Sequence, residues 1–293
     1  MTTTTTSIAM CTYNGAGFLQ QQLDSLATQT RRPDEIIICD DCSQDQSVEI
    51  AQNFANQHPD ITIRVIQNPQ NLGYVKNFEK AISLCTQDII FLCDQDDLWQ
   101  PEKIENMVSV FDAEPAVGLV LHDFCRIDEV NRLFPCAEDT YGPQKLSAAQ
   151  LPQEIKNNSI DVFMQPYPRA WCGCMMAYRR SFNDVVLPIF PGKGHDDWIL
   201  KILAPITETR FLASPLVHYR MHQQNTNRRD LEKRTLAYLW GRFVKKASLA
   251  IKGHTKSNFY RQTLNKLSQS GHTIRYPEIL RCYRKYVRGP WKI

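Results

Sequence analysis

Three carboxylates fall within four residues at Asp94-Gln95-Asp96-Asp97, directly after the apolar run Ile89-Ile90-Phe91-Leu92-Cys93 and shortly before Pro101. Ionised acids packed that closely repel one another unless solvent or a cation lies among them, and hard oxygen ligands suit Mg²⁺ or Mn²⁺ better than zinc. The turn reads as a metal seat, or else as an acidic cap on the helix that Pro101 opens. A second pair, Asp196-Asp197, follows the flexible Pro191-Gly192-Lys193-Gly194 and begins a helix whose apolar face is Trp198, Ile199, Ile202 and Leu203. A carboxylate there either serves as a general base beside a pocket, its pKa raised by an apolar wall such as Trp198, or caps the helix through its dipole. In the third pair, Asp40-Asp41, one carboxylate could accept from an imide N–H or a ribose hydroxyl; the alternative is a simple turn. Arg220 and His222 alternate along one side of an extended segment and together suit a diphosphate or a metal-diphosphate pair.

The elements that must position these groups are legible from periodicity. Residues 7–12 read as a strand, and Leu19, Leu23 and Leu26 mark a helix after the Tyr13-Asn14-Gly15 turn. The run Glu35 to Cys39 is a second strand, with Val48, Ala51 and Phe54 on the next helix. Residues 61–66 alternate as a third strand, followed by a helix through Val75, Phe78, Ile82 and Cys85. The strand before the acidic turn and a helix through Ile104, Met107, Val108 and Phe111 complete four strand-helix units. That alternation predicts an α/β fold, a doubly wound, mainly parallel sheet with helices on both faces, whose ligands bind beyond the carboxyl ends of the strands. Tyr13, Asp41 and Asp94 to Asp97 all follow strand ends, so such a fold gathers them at one rim. Tyr13 would stack on a base or pack at its turn. Asn71-Leu72-Gly73 reads as a turn with glycine at positive φ, and Lys76 at the next helix start is placed for a phosphate or sugar contact, or for solvent. Residues 117–122 suggest another strand. From Asp123 to Arg169 periodicity is lost, as expected of a loop or lid, before Trp171 to Tyr178 returns to the core; Leu212 to Val217 suggests an edge strand.

Composition bounds the reading. The 293 residues are 43% hydrophobic and 22% charged, an ordinary globular balance. Residues 1–7 lack the basic start and apolar core of a signal peptide, and no run reaches 18 apolar residues, so the expected location is the cytosol. Ten cysteines, with Cys39-Asp40-Asp41-Cys42 a single Cys-x-x-Cys that no second one pairs, read as buried free thiols. No G-x-G-x-x-G follows the first strand, which argues against a dehydrogenase. The net charge of +3 conceals a division: residues 228–293 carry 17 Lys+Arg against 3 Asp+Glu, while residues 1–227 carry 17 against 28. The tail contains an amphipathic stripe, Leu236, Leu239, Trp240, Phe243 and Val244, suited either to packing on the body or to an anionic membrane surface. The acidic body argues against a nucleic-acid partner.

Taken together, Cys11-Thr12-Tyr13-Asn14-Gly15, Ile38-Cys39-Asp40-Asp41-Cys42-Ser43, Asn71-Leu72-Gly73, Asp94-Gln95-Asp96-Asp97-Leu98-Trp99, His195-Asp196-Asp197-Trp198 and Tyr219-Arg220-Met221-His222 resemble the family 2 glycosyltransferases of GT-A fold, most closely the rhamnosyltransferase-type members that build surface polysaccharides. The resemblance covers residues 7 to about 227. It implies a nucleotide-binding part over about 7–122, an acceptor-side part over about 123–227, and a tail, 228–293, outside the family domain. It further implies Tyr13 and Asp41 at the nucleoside, Asp94 and Asp96 as a D-x-D pair for Mg²⁺ or Mn²⁺ with His222 near that metal, Arg220 and His222 at the diphosphate, and Asp196 as base with Asp197 the alternative. The donor would be a UDP- or dTDP-sugar and the acceptor a glycan or lipid-linked hydroxyl, with peripheral attachment to the inner membrane face through the tail. Cys11 departs from the usual Thr or Ser, and His195 from the usual Glu. Two rivals are a Mg²⁺-dependent phosphotransferase or phosphatase and a non-catalytic membrane-surface module.

Overall fold

The computed structural model describes residues 4–134, 172–190, 194–223, 225, 259–275, 277, 280 and 284. Its first half follows the alternation in the sequence: β1 (Thr6–Thr12), α1 (Ala16–Ala27), β2 (Glu35–Asp40), α2 (Ser47–Gln57), β3 (Thr62–Gln67), α3 (Tyr74–Leu84), β4 (Ile89–Cys93), β5 (Leu98–Trp99) and α4 (Lys103–Ala113). Then come β6 (Val117–Ile127), β7 (Met176–Arg179), α5 (Asn183–Val186), α6 (His195–Leu203), β8 (Glu208–Arg220) and a helix over 259–269, α7. The strands form one eight-stranded sheet in the order β3-β2-β1-β4-β7-β6-β8-β5.

Alternation of side chains along the strands builds a core on each face. Ile8 and Met10 of β1, Ile36 and Ile38 of β2, and Phe91 of β4 meet Leu19 and Leu23 of α1, Phe54 of α2 and Met107 of α4. Ala9, Ile37, Ile90 and Leu92 point to the opposite face, against Phe78 and Ile82 of α3 and Trp198 and Ile202 of α6. Fully burying one Leu, Ile or Phe side chain is worth about 1.5–3 kcal/mol, so these two layers dominate the stability of the sheet.

Strand direction decides which loops meet. β1 pairs in parallel with β2, Thr12 opposite Asp40, and with β4, Met10 opposite Cys93. Their carboxyl ends therefore open onto one rim. β7 runs antiparallel between β4 and β6, so the turn that precedes it, Gly173–Met175, reaches the same rim. β6 and β8 run parallel to each other and finish there too, which delivers Arg220 and His222.

Several expectations change. The strand predicted over 117–122 continues to Ile127, so the periodicity lost after Asp123 does not mark the start of a loop; residues 135–171 lie outside the described residues. The expected edge strand is longer, and at His218 it is flanked by β5 as well as β6. In the tail, α7 packs on the body, with Phe259 buried against Trp198 and Phe190. The stripe from Leu236 to Val244 lies outside the described residues.

Candidate functional site

At the end of β1 the chain turns through Tyr13, Asn14 and Gly15, and four consecutive backbone N–H groups are taken by side chains from other loops. Tyr13 N donates to Gln95 Oε1 at 2.8 Å, Asn14 N to Ser43 Oγ at 2.8 Å, Gly15 N to Ser47 Oγ at 2.9 Å and Ala16 N to Asp45 Oδ2 at 3.0 Å. The start of α1 thus has these donors committed, and a diphosphate at this rim needs cationic partners instead. The Tyr13 side chain is 48% exposed at the strand end.

The Asp40-Asp41 pair divides its work. Asp40 accepts from Thr12 Oγ1 at 2.8 Å and from Ser43 N at 2.8 Å, closing the turn in which Cys42 has φ 68°. Asp41 is buried; its Oδ1 accepts from Asn68 Nδ2 at 2.9 Å and Leu72 N at 2.8 Å, and its Oδ2 from Gly73 N at 2.8 Å. It anchors the turn through Gly73, whose φ of 80° is the left-handed conformation the sequence anticipates. Lys76, on the first turn of α3, is exposed and pairs with Glu79 at 2.7 Å.

In the acidic turn each acid has a different environment. Asp97 is fully buried; Oδ1 accepts from Arg220 N at 3.0 Å, Oδ2 has no partner, and burial with repulsion from Asp96 pushes its carboxyl up to about 7. Asp94 is raised well above the ordinary carboxylate range by burial, then by repulsion from Asp97, Asp96 and Asp196. Asp96 Oδ2 lies 2.7 Å from His222 Nε2. Arg220 is fully buried, with Nε donating to Asp96 O at 2.7 Å, Nη1 to Asp128 O at 3.1 Å and to Asn131 Oδ1, and Nη2 to Gln21 Oε1 at 3.1 Å. Its guanidinium also lies 4.7 Å from the Phe18 ring. The arginine expected at a diphosphate thus spends its donors inside the protein, tying the acidic turn to the turn at 128–131 and to α1.

Behind the turn is a cation that sequence reasoning missed. Lys103, at the start of α4, is fully buried; its ammonium donates to the Cys174 carbonyl and lies 3.5 Å from the Trp99 ring centroid. Burial draws its pKa down to about 8, while neighbouring Cys174, Cys93, Asp97 and Asp94 oppose that shift. A lysine at a helix start reads as solvated, so the sequence carried no signal for it. Gln95 was legible as the one uncharged residue among the acids, but not its partner.

The donor set fits a hard divalent cation. Atoms of Asp94, Asp97 and Cys174 lie within 4.8 Å of one another. A hydrogen bond with Cys172 and burial keep the Cys174 thiol far above its ordinary range, hence neutral, and Asp97 is tied to Arg220. The carboxylates of Asp94 and Asp97 are the hard oxygen donors of that group, Asp97 through the Oδ2 that has no partner, while Asp96 Oδ2 lies against His222; a cation there would relieve the repulsion that raises Asp94.

On α6 the two adjacent acids separate. Asp197 Oδ1 pairs with Lys201 Nζ one turn on, at 2.6 Å. Asp196 accepts from Asp197 N at 2.7 Å, and burial pushes its carboxyl up to about 6. Its charge is among those that raise Asp94, so the start of α6 lies near the acidic turn. Trp198 is not the apolar wall expected for it: the indole is buried towards α7 and α5, with Nε1 donating to Val186 O at 2.8 Å. His195 is stacked on Phe78 at 3.8 Å between centroids, holding α6 to α3, and neither ring nitrogen has a hydrogen-bond partner.

Comparison with known proteins now has a geometry to explain. The family model described as glycosyl transferase family 2 matches residues 7–186. An uncharacterised glycosyltransferase of Nostoc sp. is 29% identical over 227 residues, which is 75% of this chain and 66% of that protein. The dTDP-rhamnosyl transferase RfbG of Shigella flexneri is 35% identical over 103 residues, 34% of this chain and 35% of that one. The chain therefore matches less than two thirds of the length of these relatives. Among solved structures, the mannosyltransferase PcManGT of Pyrobaculum calidifontis, in complex with GDP-Man and Mn²⁺, superposes with a TM-score of 0.56 at 18% identity, over 97% of this chain and 83% of that one. That likeness shows the GT-A-like fold expected from the sequence.

Proposed function

The chain belongs to glycosyltransferase family 2, and on that premise we propose that it moves a sugar from a nucleotide-diphosphate donor to a hydroxyl of a glycan or lipid-linked acceptor, inverting the anomeric carbon. The observation that carries the reading is that Asp196, poised at about 6, lies near enough to the acidic turn for its charge to bear on Asp94. A base with that pKa is mostly ionised at neutral pH yet strong enough to take a proton from an attacking hydroxyl.

In this reading the nucleoside lies over the ends of β1 and β2, with its base on Tyr13 and its polar edge towards Asp41. Asp94 and Asp96 would hold a divalent cation, with His222 beside them and the open Oδ2 of Asp97 within the same turn. When bound, that cation offsets the negative charge of the departing diphosphate. The acceptor oxygen forms its bond to the anomeric carbon as its proton passes to Asp196. The bond from that carbon to the phosphate oxygen breaks, and its electron pair leaves with the nucleoside diphosphate. A single displacement inverts the centre. The Mn²⁺ and GDP-Man of the structural neighbour support a metal and a nucleotide-sugar donor; the name of the Shigella relative supports rhamnose carried on dTDP. Among the described residues no helix is long and apolar enough to cross a membrane, and the basic tail is proposed to bring the enzyme to an anionic inner leaflet.

The test is a thermal-shift screen of UDP-, dTDP- and GDP-sugars with Mn²⁺ or with chelator, followed by transfer assays. Asp196→Asn is expected to keep the donor-induced shift and lose about 10²–10⁴-fold in transfer. Full transfer by that variant refutes the base assignment, and the absence of any donor shift refutes the donor reading.

A further inference from the structure

Resting on that donor reading, we propose that Gln95 is a positioning residue: its amide ties the loop that carries Tyr13 to the loop that carries Asp94 and Asp96, so that the two parts of the donor site are held in one register.

Main-chain pairing between β1 and β4 stops at Met10 opposite Cys93. Beyond it the Gln95 side chain continues the ladder. Oε1 accepts from Tyr13 N at 2.8 Å and Nε2 donates to Tyr13 O at 3.1 Å, so one amide engages both polar groups of a single backbone residue. Such a two-point contact fixes distance and orientation together, which a single hydrogen bond does not. The other side of the same loop is held by Ser43 and Asp45 of the β2–α2 connection and by Ser47 at the start of α2. Gln95 supplies the anchor from the acidic turn itself, between its first two acids. An acid at this position would set a lone pair against Tyr13 O.

Gly15 makes room for the contact. A Cβ there would lie 2.2 Å from Gln95 Oε1, 2.4 Å from Cδ and 2.9 Å from Nε2, displacing the whole amide. The glycine has φ −107° and ψ 8°, which alanine adopts without strain, so the reason for its lack of a side chain is the glutamine rather than the backbone. The two positions, 80 residues apart in sequence, constitute a single device.

The experiment is a double-substitution cycle with Gln95→Leu, Gly15→Ala and the pair, measuring the dissociation constants of UDP and dTDP by calorimetry at saturating Mn²⁺, then KM and kcat for the donor sugar. Each single variant is expected to bind about tenfold more weakly, as for the loss of two partly exposed hydrogen bonds. The pair is expected to lose the same tenfold rather than a hundredfold, because both changes break one contact. The loss should fall more on KM than on kcat, since the contact sets where the donor is seated before the bond is made. Effects that multiply in the double variant, a loss confined to kcat, or variants that bind like wild type overturn the link and leave the donor reading standing. A wild-type protein that binds neither nucleotide overturns both. Gly15→Ala keeps the cycle readable should Gln95→Leu fold poorly.

Discussion

Asp41→Asn separates the anchoring work of this carboxylate from any role at the nucleoside. Asp41 is buried and accepts three hydrogen bonds, two on Oδ1 and one on Oδ2. In the favoured orientation asparagine keeps its oxygen towards Asn68 and Leu72 and turns its NH₂ to face the Gly73 N–H. One charge-assisted bond is lost and two donors confront each other. The reverse orientation loses two. Asn68 cannot relieve the conflict by flipping, because its Nδ2 also donates to Asn77 Oδ1 at 2.9 Å and its Oδ1 accepts from Lys80 at 2.7 Å. The cost is therefore about 1–3 kcal/mol, a sizeable share of the roughly 5–15 kcal/mol that keeps a domain folded. Urea unfolding followed by tryptophan fluorescence reads that loss. Hydrogen exchange should show the Leu72 and Gly73 amides exchanging faster, while amides in β1 and β4 change only by the global amount. A variant whose unfolding midpoint is unchanged, with both amides still protected, refutes the anchoring account and returns Asp41 to ligand binding alone.

Two further outcomes follow from the same geometry. Burial raises Asp196 to about 6, so its ionised, base-competent form is lost as pH falls through 6: kcat/KM is expected to be nearly flat from pH 8 to 7 and to drop about tenfold by pH 5, and a profile level down to pH 5 excludes Asp196 as the base. Arg220→Lys cannot reproduce a fork that reaches Asp96 O, Asp128 O and Gln21 Oε1 from one buried plane, so it should cost about 2–4 kcal/mol in denaturant unfolding and weaken Mn²⁺ binding by disordering the acidic turn; a variant as stable as wild type would return this arginine to the diphosphate.

The strand-helix alternation through residue 113 was legible because β1, β2 and β4 are apolar on both faces, β3 alternates, and each helix shows one stripe, a purely local pattern. The ion pair that occupies Asp197 was also written in the chain, since Lys201 stands four residues after it on the same helix face. Other features were not local. β7 is four residues long and has no period to detect, yet its antiparallel insertion between β4 and β6 brings Gly173–Met175 under the acidic turn. Trp198 looked like a wall for the base, but a helix stripe says only that a side chain is buried, not which neighbour covers it.

By itself the sequence determined which residue types stand at the strand ends: Tyr13, Asp41 and the acids from Asp94 to Asp97, with Arg220 and His222 after a later strand. Only the tertiary structure decided how these groups divide their work. The order and direction of the strands bury Arg220 and Lys103 behind the acidic turn, join Gln95 to Tyr13, and bring the charge of Asp196 near Asp94. Side-chain chemistry is fixed residue by residue, whereas charge, pKa and hydrogen-bond partners depend on what packing removes from water and what it places alongside.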